Sequence, residues 1–515
     1  MASKLLNLIQ DFESSAVSVP SIQYGIFVIC GVLVFATITI ILMNGIYNLY
    51  FHPLAKYPGP KLWAFTNLPN SIGRIQGLMY LRLKSAHEKY GPIVRSAPNE
   101  LSFITPEAWT DIYAKKPGRP EMPKGNYVPQ PGTESLFDHP VHEEHQRIRK
   151  SLRNGFTEKA QREQEPRVKR FMDQLMNQLK NIAKDGEVTD IAKWNYLIAY
   201  DIIADLCFGE NFKGVEKGED HKWIGIGINT STAFTVFHES KRIWPFNKIL
   251  TYIPYLTKAV SLRMQHVFFL NQLLEKRRKA QDTEPDFMTH ALPYLDRPGG
   301  INLSELQRSL EIVVTAASDT TATLPIGAIY HLCKNPSIYA KLKHEIRSSF
   351  NSEDEIQISS VFDKPYLLAV LKEALRMHPP VPGNHPRRVG KEGAVIAGNY
   401  VPSNTLVSFP HWAGYHSERN WNRPDDFVPE RWMGAPEFET DNRACFKPFS
   451  HGPRECMGQN VAHAVTRVLM ARYIYNFDFE LADPEDGLTD GARVRLVWSH
   501  KPLLLKIRSV GKEMR

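Results

Sequence analysis

Cysteine is scarce in this sequence. Only Cys30, Cys207, Cys333, Cys445 and Cys456 occur in 515 residues, with no Cys-x-x-Cys pair and no close spacing. That excludes a disulfide framework and a structural zinc site, and it points to a reducing compartment for the main body. Lys/Arg blocks, zinc-finger spacings and RNP-like segments are also missing. The formal charge of +8 and the pI of about 9.0 therefore do not indicate nucleic acid. A basic balance suits an anionic membrane surface or an acidic protein partner. There is no internal repeat and no low-complexity tract. What is present, 43% hydrophobic and 11% aromatic residues, is the composition of a globular protein with a large core.

The most telling absence is local. Between Ser14 and Ala55 there is no Asp, Glu, Lys or Arg. Within that stretch Ile22 to Met43 is almost wholly apolar, and about 20 such residues span a bilayer as a helix. A signal peptide would have a shorter apolar region directly after a basic segment and would end in a small-residue cleavage site. Here Asp11 and Glu13 accompany Lys4 before the run, so an uncleaved anchor over 21–43 is expected, after a short lumenal stretch at 1–20. Lys56 and Lys61 beyond the anchor outweigh Lys4 before it, which places the large C-terminal body in the cytosol. Asn229 and Asn302 sit in sequons that would then stay unmodified. Tyr47, Tyr50, Phe51 and Trp63 suit the membrane interface. Pro53, Pro58, Gly59 and Pro60 cannot continue a helix and make a stiff elbow over 44–70.

The remaining body, 71–515, is expected to be mainly α with small β-sheets. Leu81–Tyr90, Pro140–Gly155, Glu165–Ala183, Lys193–Phe208 and Ser304–Cys333 carry apolar residues at helical spacing. Short alternating pieces, Ile93–Arg95, Glu100–Ile104, Ala394–Ile396, Leu406–Ser408 and Leu503–Ile507, read as strands.

Two segments carry chemistry. Residues 449–458 read Phe-Ser-His-Gly-Pro-Arg-Glu-Cys-Met-Gly. Gly452 permits a sharp turn, Gly458 a close backbone approach, and the N–H groups after Cys456 can point at its sulfur and set its electron donation. The other cysteines lack such a setting: Cys30 lies in the anchor, Cys207 and Cys333 on apolar helix faces, and Cys445 has no motif of its own. The second segment, Ala316 to Thr323, puts an acid and four hydroxyls mid-way along a helix of about 30 residues. Ser304 and Gln307 have the form of a capping box at its start. Thr hydroxyls can bond one turn back, and Pro325 removes the N–H that would reach Thr321, so a local opening is expected there.

The pattern Phe-x-x-Gly-x-Arg-x-Cys-x-Gly resembles the haem-binding signature of the cytochrome P-450 superfamily at every defining position. Ala316 to Thr321 resembles the superfamily's Ala/Gly-Gly-x-Asp/Glu-Thr-Thr motif, with Ala317 where glycine is usual; a methyl there narrows the groove over the haem. Glu373-Ala-Leu-Arg376, together with Arg431 of Phe427-Val-Pro-Glu-Arg-Trp432, resembles the family's Glu-x-x-Arg and Pro-Glu-Arg elements. His145-Gln-Arg-Ile-Arg149 resembles its Trp-x-x-x-Arg segment, with histidine in place of tryptophan.

This resemblance implies a cytochrome P-450 fold binding haem b. Cys456 would be the axial thiolate, Phe449 its shield, and Arg454, His145 and Arg149 propionate partners, joined by Arg387 or by Arg388. Asp319 and Thr320 would relay protons to bound dioxygen. Glu373, Arg376 and Arg431 would form a structural triad. Electrons would come from NADPH through a reductase. Arg147, Lys150 and Arg153 on one helix face are candidates for docking it. Loops around Pro117–Asp138 and the aromatic-rich stretch Trp223–Tyr255, with Phe234, Phe237, Trp244, Phe246 and Tyr252, would grip a lipophilic substrate. The elbow Phe51–Leu62 looks like that of filamentous-fungal microsomal members of secondary metabolism. That implies the endoplasmic reticulum membrane and a terpenoid, polyketide or alkaloid substrate. The alternatives are a haem-thiolate enzyme that does not use external oxygen (a peroxygenase or a rearranging type), a non-catalytic haem sensor, and a membrane scaffold without cofactor.

Overall fold

The computed structural model describes residues 19–125, 134–219, 232, 235–243, 247, 254–280 and 284–511. The apolar run forms a helix over Val19–Tyr50, and from Ile26 onward its side chains are largely exposed. It continues past Met43, so the elbow begins at Phe51 and not at residue 44. Ile26–Tyr50 is long and apolar enough to cross a membrane. Its last turns are fastened to the body: Arg95 Nη1 donates to the Asn48 carbonyl at 2.8 Å, and Asn48 Nδ2 donates to the Phe65 carbonyl at 3.2 Å.

The body is mainly α-helical with small sheets. Its helices start and stop where side chains supply what the backbone lacks. Thr157 caps Glu158–Asp185 by accepting from the Ala160 N–H, and Gly186 ends it at φ +69°. Asp190 caps Ile191–Phe208, which Gly209 ends at φ +67°. The long central helix runs Leu303–Lys334. Its cap is Asn302, not Ser304: Asn302 Oδ1 accepts from the Glu305 N–H and Glu305 Oε2 from the Asn302 N–H, both at 2.9 Å. A carboxylate in the first turn meets the positive end of the helix dipole, an advantage that Gln307 would not offer. Arg147 holds the same carboxylate from outside.

The central helix is unbroken through Pro325, so the expected opening is not found. The Ser318, Thr320 and Thr323 hydroxyls bond back to the carbonyls of Val314, Ala316 and Asp319 at 2.8, 2.7 and 2.8 Å, which satisfies these groups inside the helix. Its principal neighbour is Ile191–Phe208, and packing there holds the turn that proline weakens. With Glu158–Asp185, Pro336–Ser349, Pro365–Met377 and Gln459–Asn476 these two helices enclose one apolar core.

The strands form four small sheets. In chain order they are β1 (Ile93–Ala97), β2 (Glu100–Phe103), β3 (Val188–Asp190), β4 (Arg387–Arg388), β5 (Ala394–Ile396), β6 (Asn399–Val401), β7 (Leu406–Ser408), β8 (Phe477–Leu481), β9 (Arg493–Val494), β10 (Trp498–Ser499) and β11 (Leu504–Ser509). One sheet has the order β1-β2-β7-β4, with β2 and β7 parallel; another is the antiparallel β3-β11-β8; β5-β6 and β9-β10 are hairpins. The first sheet carries Arg387 to the edge of the cavity described next.

Candidate active site

A cavity of about 320 Å³ lies between the central helix and the loop before Gln459–Asn476. Ala316, Ala317, Thr320 and Thr321 form one wall; Phe449, Cys456, Gly458 and Val461 form the facing one.

The Cys456 loop is shaped by its backbone. The Cys456 N–H donates to the Phe449 carbonyl at 2.9 Å and the Glu455 N–H to the Gly452 carbonyl at 3.0 Å. Gly452 has φ +83°, and a Cβ there would meet the Tyr113 carbonyl oxygen at 2.3 Å, so both conformation and space demand glycine. A Cβ on Gly458 would find nothing nearer than the Cys456 sulfur at 4.0 Å, which leaves the space beside the sulfur open to the cavity. Burial pushes the Cys456 thiol up, while the Gly458 N–H bonded to the sulfur and the nearby Arg149 favour the thiolate. Phe449 stacks edge-on to His463 with centroids 4.9 Å apart.

Basic residues line the cavity. His145, Arg149, Arg387 and Arg454 all line it. Burial, with Arg454, Lys124 and Arg149 close by, lowers His145 to about 3 and keeps it neutral. Arg149 Nη1 donates to the Glu455 carbonyl at 2.8 Å. Arg387 is buried on the cavity wall, whereas Arg388 turns away to Asn404 Oδ1 and the Gly125 carbonyl, both at 2.8 Å. Arg454 lines the cavity yet is also paired with Glu121 and donates to the His139 carbonyl at 2.7 Å. Nothing in the sequence singled out Glu121 or Lys124, because their contacts are made only by folding.

Asp319 and Thr320 diverge. Thr320 lies on the cavity wall. Asp319 is buried against Ile191–Phe208, where the Tyr200 hydroxyl donates to its Oδ1 at 3.2 Å. Burial raises the Asp319 carboxyl to about 7 against that hydrogen bond.

Glu373, Arg376 and Arg431 come together with no solvent exposure. Arg376 Nη2 reaches Glu373 Oε1 at 2.8 Å and Arg431 Nε reaches the same oxygen at 3.2 Å. Although burial works the other way, the two guanidiniums hold the Glu373 carboxyl below its ordinary value. Two further partners were not anticipated: Trp432 Nε1 donates to Glu373 Oε2 at 2.9 Å, and Asp441 pairs with Arg431. Arg147 does not belong to an open docking face, since Glu305 and Glu144 engage it; Lys150 and Arg153 are exposed. Of the expected substrate-gripping aromatics, Phe234, Trp244, Phe246 and Tyr252 lie outside the described residues, as do 126–133 of the first loop.

A cysteine sulfur thus faces a cavity with a backbone N–H donor and basic side chains around it. Comparison with known proteins supplies the family. The cytochrome P450 profile matches residues 57–507. A cytochrome P450 monooxygenase of Talaromyces wortmannii is 37% identical over 476 residues, 91% of this chain and 95% of its own length. The trichothecene C-15 hydroxylase of Fusarium sporotrichioides is 36% identical over 467 residues, 89% of this chain and 94% of its own. The averantin hydroxylase of Dothistroma septosporum is 35% identical over 466 residues, 90% and 88% of the two chains. The chain belongs to the cytochrome P450 family of monooxygenases.

The family implies a haem-iron cofactor, and the residues present fit one. The sulfur has an N–H donor and a cation beside it, the rim offers guanidinium groups for carboxylates, and Arg387 Nη1 is buried with no hydrogen-bond partner among the described residues.

Proposed function

We propose that this chain is a haem-thiolate monooxygenase that takes electrons from NADPH through a reductase and inserts one oxygen atom of dioxygen into a lipophilic substrate by hydroxylation or epoxidation. The observation that carries the reading is Cys456, supported by the Gly458 N–H, facing Thr320 across a single cavity. Cys456 would ligate the iron of haem b, and His145, Arg149, Arg387 and Arg454 would hold its propionates. The haem, when bound, supplies the reductive activation of dioxygen, and a thiolate ligand favours O–O cleavage.

The protein's own residues supply orientation and protons. Thr320 presents a hydroxyl to the cavity while anchored to the Ala316 carbonyl at 2.7 Å. Asp319, raised to about 7, lies one residue away and can take up or give up a proton near neutral pH. The pair is the relay through which protons reach the cavity. Ile203, Val313, Leu324, Phe156 and Phe287 keep the remaining wall apolar, which excludes water and selects a lipophile. Glu373, Arg376 and Arg431 clamp the chain that precedes the Cys456 loop.

Two relatives named as hydroxylases, both fungal, support C–H hydroxylation in secondary-metabolite biosynthesis, on a terpenoid, polyketide or alkaloid. The exposed apolar helix Ile26–Tyr50 and the flanking Lys56 and Lys61 support a single-pass anchor in the endoplasmic reticulum membrane with the body in the cytosol. The test is reconstitution with an NADPH-dependent reductase in lipid nanodiscs and a panel of lipophiles. Oxygenated product should appear with NADPH consumption, and Thr320→Val should lower product per NADPH while hydrogen peroxide rises. Product formed equally well with peroxide and no reductase would contradict the reading.

A further inference from the structure

Four charged side chains that the chemistry above does not use meet at β2. Glu100, the first residue of that strand, is buried, and its two oxygens serve three separate parts of the chain. Oε1 accepts from Arg74 Nη2 at 2.7 Å, on the helix Leu68–Ile75, and from Asn384 Nδ2 at 3.2 Å. Oε2 accepts from Arg242 Nη2 at 2.8 Å. Glu239, also buried, accepts from the Ser71 hydroxyl at 2.9 Å and lies 3.8 Å from Arg74 Nε and 3.6 Å from Arg242 Nη1. Burial works against ionisation of Glu100, yet Arg74 and Arg242 hold its carboxyl below the ordinary value.

The partners of Glu100 differ in what they belong to. Arg242 and Glu239 come from segment 235–243, part of the aromatic-rich stretch expected to grip substrate. Asn384 precedes His385, which lines the cavity together with Pro380, Val381, Pro386 and Arg387. The Asn384 amide also donates to Ser408 Oγ on β7 at 3.0 Å, so it is held between that strand and Glu100. One carboxylate thus joins segment 235–243 to the cavity wall. The charges keep partners in two arrangements. With the segment seated, Arg74 and Arg242 share Glu100. With the segment lifted, Arg74 keeps Glu100, while Glu239 and Arg242, three residues apart in a turn closed by the Arg242 N–H on the Glu239 carbonyl at 3.0 Å, keep each other. A buried charge left alone is strongly destabilising, and neither arrangement leaves one alone.

We propose that Glu100 is a positioning residue that couples the seating of segment 235–243 to the cavity wall at 380–387. With Arg242 on Oε2, the carboxylate is fixed with Oε1 toward Asn384. Once Arg242 leaves, the carboxylate turns onto Arg74 with both oxygens, and the Asn384 amide loses its acceptor. The wall beside Asn384 then loosens, so a bulky lipophile is held firmly only while the segment is seated. The inference rests on the haem-thiolate reading for what the cavity binds, and on the ion network alone for the coupling.

The experiment uses the full-length holoenzyme as wild type, Arg242→Gln, Arg242→Lys, Asn384→Ala and the double variant Arg242→Gln/Asn384→Ala. Two quantities are read: hydrogen–deuterium exchange by mass spectrometry, and spectral titration with clotrimazole, a bulky azole, and with imidazole. The wall is followed at the His411 and Trp412 N–H groups, which bond to its Gly383 and Pro382 carbonyls at 3.3 and 3.0 Å. Arg242→Gln should speed exchange about tenfold both in 235–243 and at 411–412. It should weaken clotrimazole about tenfold and leave imidazole unchanged. Arg242→Lys keeps the charge and should restore most of each. In the Asn384→Ala background, adding Arg242→Gln should change the wall no further. Wild-type exchange at 411–412 in Arg242→Gln would overturn the coupling, and so would equal losses of clotrimazole and imidazole, which a general loss of stability would produce. The carbon monoxide spectrum is recorded alongside. A wild type without the thiolate-type band would count against the haem-thiolate reading, and the exchange result would still decide the coupling.

Discussion

Tyr200 donates its hydroxyl to Asp319 Oδ1 at 3.2 Å, which holds the acid of the central helix within the protein while Thr320, the next residue and about 100° further round the helix, faces the cavity. The two groups of the proposed relay therefore occupy different environments. Asp319 is desolvated, and its carboxyl moves from 3.8 to about 7.

A carboxyl raised in the folded state binds its proton more tightly there than in the unfolded chain. Its contribution to stability is full below the unfolded value of 3.8 and is lost as pH rises through about 7. Asp319→Asn removes that dependence. Between pH 4 and pH 8 the variant should gain on wild type by at most about 4 kcal/mol. Melting temperatures of both proteins across this range check it. An equal difference between the two at every pH would contradict it.

Glu373→Gln leaves Arg376 without a carboxylate and Arg431 with Asp441 alone, both fully buried. Breaking a buried pair from one side costs about 3–5 kcal/mol. The expected result is a lowered melting temperature and a purified protein with a reduced ratio of haem to polypeptide absorbance.

Gly452→Ala tests the Cys456 loop without touching the sulfur. At φ +83° an L-residue is strained by about 1–2 kcal/mol, and the added Cβ would press on the Tyr113 carbonyl oxygen at 2.3 Å. The variant should lose pigment while Gly491→Ala, also at positive φ but with open space around it, keeps it.

Lys150 and Arg153 are the exposed cations of the proposed reductase face, with Arg147 removed from it by Glu305. Reversing both to Glu should slow the first electron transfer and flatten its dependence on ionic strength, measured by stopped flow. Unchanged rates and salt slope would remove that face from consideration.

The sequence was most legible where function is written in consecutive residues. The ten-residue loop at 449–458 carries its own geometry, since Gly452 stands where a side chain would collide with the Tyr113 carbonyl. The helix periodicities and short strands were legible for the same reason. Contacts between distant segments were not. Asn302 and Ser304 are both good capping types, and the choice is made by Glu305, which Arg147 holds from another helix. Pro325 weakens a helix in isolation, but packing against Ile191–Phe208 keeps the turn closed. Lys124 carries no motif at all; only the bridge to β4 brings it opposite Arg387. Asp319 and Thr320 could be read as a pair, but not the Tyr200 hydroxyl on Asp319, which comes from another helix.

The central claim is that Cys456 is the thiolate ligand of a haem iron. The most direct measurement is the absorption spectrum of the dithionite-reduced, carbon monoxide-saturated protein, for wild type and Cys456→Ser. The account predicts the strongly red-shifted Soret band of an anionic sulfur ligand in wild type and its absence in the variant. A colourless wild-type protein, or a variant that keeps both the shifted band and its activity, would contradict it.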